Sequence, residues 1–420
     1  MKKLYTFLVV VFIGFVGKAQ IVNIPDANFK AWLLQASSSN DRASSQTPVY
    51  DSTLNIWQVE TYNTVDTNAD GEIQITEALA IKHLEIYGTN ISNLSGIEAF
   101  VNLQALYCNN LPLTSLNLSS LQNLKFLNCR LNQLTSLNVS GNANLEVLKC
   151  GDNQLTTLTV SGLANLRNID CDDNQILNLD LSGVSNLRSL ICNNNQLGSL
   201  DFSVNTNLEA LYCYSNQLTS LNVVGLTSLR ILSCGTNQLT SLNASDLISL
   251  QTLGCQNNQL TSIDISSSRL LNQLYCSNNQ LNSLFIKNNY IYNWAILDFQ
   301  NNPSLSYICA DEADFTYVQN KINSAGYAST CHVNSYCSFT PGGIFYTFQG
   351  NTSFDSGSNG CNVSDINIPN QRFTVANGPL SGSFISNTSG SYFFPVAAGS
   401  HTITPTFEDP SYFTSSPGSA

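Results

Sequence analysis

Leu145-Glu146-Val147-Leu148-Lys149-Cys150-Gly151-Asp152-Asn153-Gln154-Leu155-Thr156-Thr157-Leu158-Thr159-Val160 carries the frame on which the rest of the chain is built. Its skeleton, Leu-x-x-Leu-x-Cys-x-x-Asn-x-Leu-x-x-Leu-x-Val, returns every 21 residues. Nine cysteines mark the beat: Cys108, Cys129, Cys150, Cys171, Cys192, Cys213, Cys234, Cys255 and Cys276. A short period held this long is the signature of a solenoid, in which each repeat is one coil and stacking buries the apolar positions. Each frame holds two similar apolar half-turns, as in Leu124 to Cys129 and Leu134 to Val139. Two half-turns in so few residues leave no room for a full helix, so two short strands per coil are expected. Ten coils at a strand spacing of about 4.8 Å would make a rod on the order of 48 Å long.

The frame L-x-x-L-x-C-x-x-N-x-L resembles the leucine-rich repeat with Cys in place of the third Leu, and its nested halves are similar to the short bacterial class of that repeat. The resemblance covers about half of the chain. The expected fold is therefore mainly β: a leucine-rich-repeat solenoid with two short strands per coil, small helical caps and a C-terminal β-sandwich-like module. The expected boundaries are a leader at 1–19, an N-terminal cap at 20–80, the solenoid at 81–308, a C-terminal cap at 309–336 and the module at 337–420.

The cysteines replace an inward Leu, and a buried thiol behaves as a small hydrophobe. Zinc-type pairs of Cys two to four apart are absent from the ladder. Neighbouring side chains in register point alongside one another rather than at one another, which disfavours a disulfide stack. The ladder reads as core. An Asn follows most of these cysteines by three, from Asn132 to Asn279, where both ends of its amide can satisfy backbone groups at a tight corner. Leu111 breaks that series in the first Cys coil.

Met1 to Ala19 reads as a secretory signal peptide: Lys2 and Lys3, an apolar run from Leu4 to Val16, then Gly17-Lys18-Ala19. Past it, Pro25 and Asp26 suit a helix start, with Phe29, Trp32 and Leu33 on one face as a lid for the first coil. Asp66-Thr67-Asn68-Ala69-Asp70-Gly71-Glu72-Ile73-Gln74-Ile75-Thr76-Glu77 matches the EF-hand calcium loop at its diagnostic places. Ca²⁺ is hard and needs several oxygens at one point. Asp66, Asn68, Asp70 and Glu77 would supply side chains, Glu72 its carbonyl and Gln74 a direct or water-mediated contact, while Gly71 permits the sharp turn. A single such loop inside a cap suits a structural staple better than a sensor.

Beyond Leu284 the period fails. Asn301 to Cys309 reads as a final half-coil, and Phe315, Val318 and Ile322 mark a capping helix. Cys309, Cys331, Cys337 and Cys361 allow three connectivities; the favoured one joins Cys309 with Cys331, closing the cap, and Cys337 with Cys361. From Cys337 onward, alternating aromatic and small residues with Gly-rich turns suggest a β-sandwich. The segment Ile24-Pro25-Asp26-x-Asn28-Phe29-Lys30 and the C-terminal stretch resemble secreted leucine-rich-repeat proteins of Bacteroidetes-type bacteria. That resemblance implies export, with a sorting domain beyond the residues present, the chain being a fragment of something longer.

Function is expected on outward positions beside each Cys. Ile191, Tyr212 and Tyr214 make an apolar-aromatic spot suited to a protein or glycan partner, and Asp170 and Asp172 centre an acidic spot beside it. A formal net charge of -12, made more negative by cleaving a leader with three lysines, disfavours nucleic acid and anionic membranes. His83, His332 and His401 lie outside any nucleophile or metal motif. The expectation is a secreted or cell-surface binding protein that is not an enzyme and does not insert in the membrane once the leader is cleaved. The rival readings are a structural stalk and a non-catalytic part of a secreted enzyme.

Overall fold

The computed structural model describes residues 20–51, 53, 56–88, 90–289, 294–339, 344–355, 357 and 365–407; the segment 1–19, where a leader is expected, and Cys361 lie outside the described residues. The solenoid is there. A 12-stranded sheet runs along one side, from 43–44 through 83–85, 105–107, 126–128 and so on to 296–298. Apart from the first, antiparallel pair (Ala43↔Leu84), its strands are parallel and in register coil by coil, as in Leu127↔Leu148 and Leu211↔Leu232. Leu106, Leu127, Leu148, Leu190 and their counterparts are fully buried, as are all nine ladder cysteines, and those thiols are free. Each fully buried Leu contributes roughly 1.5–3 kcal/mol relative to an exposed one, so stacking supplies the stability that a lone coil lacks.

The second half-turn differs from expectation. Among the described residues it forms ladders only at 158–159 with 179–180, and along 262–264, 283–285, 307–309 and 332–334. Most of these half-turns end in an Asx turn, in which Asn138 Oδ1 accepts from Ser140 N (3.1 Å) and Asp180 Oδ1 from Ser182 N (2.9 Å), whether or not they form a ladder.

Each corner after the Cys strand is built the same way. The residue two past the Cys takes a left-handed conformation in every coil, from Asn110 (φ 59°) through Leu131 (55°) and Thr236 (52°) to Asn278 (55°). One residue on, the Asn side chain satisfies the corner. Asn153 Nδ2 donates to the carbonyls of Cys129 (3.0 Å), Cys150 (3.1 Å) and Gly151 (3.0 Å), and its Oδ1 accepts from Leu134 N (3.0 Å). At the Leu111 break, Asn132 from the next coil still takes the Leu113 N–H (3.2 Å), so that corner is closed from one side only.

Past Leu284 the repeat does not stop. Leu297-Asp298-Phe299 continues the sheet with Phe299 in the cysteine place, and Asn302 fills the ladder position, accepting from Leu281 N (3.0 Å). The frame is displaced by two residues and its cysteine is gone, which hides this coil from a strict count.

Helix α1 (Ala27–Leu34) covers the first coil with Phe29, Trp32 and Leu33. Its N-cap Asp26 accepts from Asn28 N and Phe29 N with one oxygen and from Ser92 N and Asn93 N with the other, tying the lid to coil zero. A short helix α2 (Ile75–Ala80) leads into that coil. At the far end α3 (Phe315–Ser324) buries Phe315, Val318 and Ile322.

The disulfide differs from the favoured pairing. Cys309 is bonded to Cys337, with Cα atoms 5.8 Å apart, and Cys331 is a free, buried thiol. Register explains it. Strand 332–334 lies parallel to 307–309 with His332 opposite Tyr307 and Asn334 opposite Cys309. Cys331 therefore sits at the opposite end of the strand from Cys309, roughly 10 Å away along it, beyond bridging distance. The chain leaves past Asn334 on the Cys309 side, which brings Cys337 into reach.

Strand 332–334 also joins the solenoid to the C-terminal module, since Asn334 pairs with Phe384. Strands 380–385, 372–377 and 402–406 extend that sheet, and 346–351 with 391–396 form a second one. Tyr336, Val375, Phe384, Phe394 and Val396 are packed between them. Glu312 braces the junction by accepting from Ser335 Oγ (3.1 Å), Ser383 Oγ (2.7 Å) and Arg372 Nη1 (2.9 Å). Among the described residues no helix is long and apolar enough to cross a membrane.

Candidate strand face and calcium loop

The loop 66–77 is held by its own hydrogen bonds. Gly71, at φ +79°, donates to Asp66 Oδ2 (3.0 Å), and Asp70 N donates to Asn68 Oδ1 (3.0 Å). Glu77 Oε1 accepts from Thr67 N (2.7 Å) and its Oε2 from Gln74 N (2.9 Å), which also closes a capping box on α2. Asp70 accepts from Gln74 Nε2 and from Asn68 Nδ2. The Glu72 backbone amide first, then the Gln74 amide, hold the Asp70 carboxyl below its usual range. The Glu72 side chain turns away to Lys30 (2.6 Å), leaving its carbonyl as the loop donor, and Ile73 is fully buried.

The donor types fit a hard cation, since every side chain named carries oxygen. The arrangement shown satisfies the carboxylates with amide N–H groups, and among the described residues no three His, Cys, Asp or Glu side chains gather as a metal-binding group. A half-turn of the terminal amides of Asn68 and Gln74 exchanges those N–H groups for oxygens.

On the solenoid sheet, residues one and three before each Cys share the outward face because side chains alternate along a strand. The row three before the Cys, not singled out from the sequence, runs Ala105, Phe126, Val147, Asn168, Ser189, Ala210, Ile231, Thr252, Gln273. The same period-2 rule would have found it.

That face is half covered. Strands Val49–Asp51 and Ile56–Gln58 pair as an antiparallel ribbon laid across the first coils. Trp57 packs on Ala105, Phe126 and Val147, whose outward side chains are at most 1% exposed. Lys125 Nζ lies 5.2 Å over the indole, and Asn168 Nδ2 donates to Tyr50 Oη (3.3 Å). In sequence the ribbon is only two short apolar-aromatic runs, Val49-Tyr50 and Ile56-Trp57, on either side of Asp51-Ser52-Thr53-Leu54-Asn55. From Ser189 to Gln273 the same row is half-buried.

The acidic residues come together around one cation. Arg130 bridges Asp170, Asp172 (2.7 Å) and Asp152 (2.5 Å) across three coils. Gly151 makes room for this: a Cβ there would collide with the Asp172 carboxylate and stand 2.7 Å from Arg130 Nη1. Burial, then the neighbouring Asp170 carboxyl, push the Asp172 pKa up to about 6 against the pull of Arg130. The acidic spot is thus a partly neutralised bridge. Next to it, in register, lie Ile191 opposite Asp170 and Tyr212 opposite Ile191; Tyr214 is exposed on the following position.

The histidines have structural surroundings. His83 is fully buried against Glu85 (2.8 Å), His332 stacks on Phe393, and His401 is held between Tyr336 Oη (2.8 Å) and Ala397 O (2.9 Å).

No family model matches this sequence, and no curated relative does. Among solved structures, the functional domain of InlJ from Listeria monocytogenes, described as including a cysteine ladder, is 20% identical, with 83% of this chain and 90% of that one aligned and a TM-score of 0.47. A leucine-rich-repeat protein of Leptospira interrogans is 25% identical over 57% of this chain and 74% of that one, with a TM-score of 0.40. The internalin InlF of Listeria monocytogenes is 20% identical over 71% and 98%, with a TM-score of 0.40. The chain is a mainly-β solenoid, and the structures similar to it are internalins and leucine-rich-repeat proteins.

Proposed function

We propose that this chain is an exported, non-enzymatic binding protein of the secreted leucine-rich-repeat kind, which holds a protein partner on the uncovered half of its strand face. The observation that carries this reading is the contiguous row Ile191, Tyr212 and Tyr214, left half-buried or exposed on adjacent coils beside the Arg130 bridge. Aromatic side chains on a rigid sheet give contact area at little entropic cost, and the partly neutralised carboxylates Asp170 and Asp172 border them with polar groups. The acidic net charge supports a partner other than nucleic acid or an anionic membrane. The test presents the full chain and its Tyr212→Ala/Tyr214→Ala variant to a panel of extracellular proteins. A partner bound by the first and lost by the second supports the reading; identical binding by both refutes it.

In this proposal the N-terminal cap carries a structural Ca²⁺ held by Asp66, Asn68, Asp70 and Glu77, with the Glu72 carbonyl and Gln74 completing the oxygens. The ion would cross-link the lid to the first coil through α1 and α2. Calorimetric titration should give one calcium site that disappears in Asp66→Ala/Glu77→Ala, with a calcium-dependent rise in melting temperature seen in wild type alone. No heat in wild type would make the loop a self-sufficient turn.

A second reading, a stalk, is favoured by the sheet continuity through 332–334 and the Glu312 brace, which couple solenoid and C-terminal module stiffly. It predicts the indifferent outcome of the tyrosine test.

A further inference from the structure

Two coils of the face carry the same four residues. Ala105-Leu106-Tyr107-Cys108 returns five coils later as Ala210-Leu211-Tyr212-Cys213. At the first copy an occupant is present, the chain's own residue Trp57. Tyr107 Oη accepts from Trp57 N (3.0 Å) and donates to Trp57 O (2.8 Å), so one phenol reads both backbone groups of a single extended residue. The indole of that residue lies on Ala105, on Phe126 from the next coil and on Val147 from the one after.

The second copy repeats this surface. Ala210 and Tyr212 stand in register beside Ile231 and Ser233, the places of Phe126 and Asn128 at the first copy, and Thr252 stands in the place of Val147. At the first copy the apolar floor is fully buried under the ribbon, whereas Ala210, Ile231 and Thr252 are half-buried. The covered site thus shows what chemistry its open counterpart accepts. A helix engages its backbone N–H and C=O groups internally, and a glycan has no extended backbone that carries such a pair beside a large apolar side chain. An edge strand presents the N–H and C=O of alternate residues to the same side.

We propose that Ala210, Tyr212 and Ile231 form a second seat of this kind, which takes an extended edge-strand segment of a partner protein. Tyr212 Oη reads the backbone N–H and C=O of one residue, and the large apolar side chain of that residue lies over Ala210 and Ile231. The inference rests on the strand face being the binding surface and specifies which partner geometry it selects.

The test uses the full chain with two probes: a cyclised peptide copying residues 48–59 and a displayed library of cyclic peptides of the same length. Saturable binding is expected from at least one probe, weakened roughly tenfold by Tyr212→Phe, which removes only the hydroxyl, and lost in Ile231→Asp. Bound peptides should carry an aromatic or large aliphatic residue at the central position. If neither probe yields a peptide whose affinity depends on the Tyr212 hydroxyl, the proposal is wrong. A folded partner lost on Tyr212→Ala/Tyr214→Ala but indifferent to Tyr212→Phe would leave the binding face intact and overturn the edge-strand reading alone.

Discussion

Replacing Asn153 with Ala would test whether the amide ladder, rather than leucine packing alone, holds the coils in register. The Asn153 side chain donates to the carbonyls of Cys129, Cys150 and Gly151 and accepts from Leu134 N, all within 3.0–3.1 Å. The residue is buried, so water cannot replace these partners. Losing the acceptor strands one buried N–H, at about 1–3 kcal/mol, and the carbonyls lose part of their satisfaction at roughly 0.5–1 kcal/mol in total. The expected destabilisation is about 3 kcal/mol. Asn153→Asp keeps the acceptor but turns a carboxylate toward three carbonyls. Burial and those carbonyls would raise its folded pKa above the unfolded value, so the acid form is favoured on folding and the penalty grows as pH rises through that range. Urea unfolding of the full chain, followed by tryptophan fluorescence and far-UV circular dichroism together, reads both effects and reveals any loss of cooperativity between coils. A loss below about 0.5 kcal/mol for Asn153→Ala, or an Asp variant more stable at pH 8 than at pH 5, would refute the reasoning.

Three further outcomes follow from the geometry. Gly151→Ala should force Arg130 and Asp172 apart and lower stability by about 1–2 kcal/mol, whereas Gly162→Ala, where no atom lies within 4 Å of the added Cβ, should cost only its backbone strain at φ +81°; thermal melts of the two variants compare these costs. Asp172 binds its proton more tightly folded (about 6) than at the model-peptide value of 3.8, so its contribution to stability is largest below pH 4 and is lost as pH rises to about 6. After allowing for solvent screening the change is on the order of 1 kcal/mol, and Asp172→Asn should remove that slope from a stability-versus-pH series. Leu131 holds a left-handed φ of 55° with its side chain 52% exposed, so Leu131→Asn should raise the unfolding midpoint by an amount worth roughly 1 kcal/mol; an unchanged midpoint would remove backbone strain as a cost at that corner.

The repeat was legible from the chain alone because its cause is local and periodic. Leu-x-x-Leu-x-Cys alternation dictates a strand with one buried face, and constant spacing dictates stacking; Asp26 before Phe29, Trp32 and Leu33 dictates a capped amphipathic helix. The free, buried thiols of Cys108 to Cys276 follow from their place in that frame. Other features depend on which coils become neighbours. The Cys309–Cys337 bond follows from the parallel register of 307–309 with 332–334, which no residue spacing states. Arg130 meets Asp170 only because residues 40 apart in the chain are two strands apart in space. The ribbon 49–58 covers Phe126 and Val147 through contacts that carry no period, so only the tertiary structure decides which half of the strand face is open. Sequence periodicity records interactions that repeat; a segment that crosses the repeats once leaves no periodic trace, and its place is set by the packing of the whole.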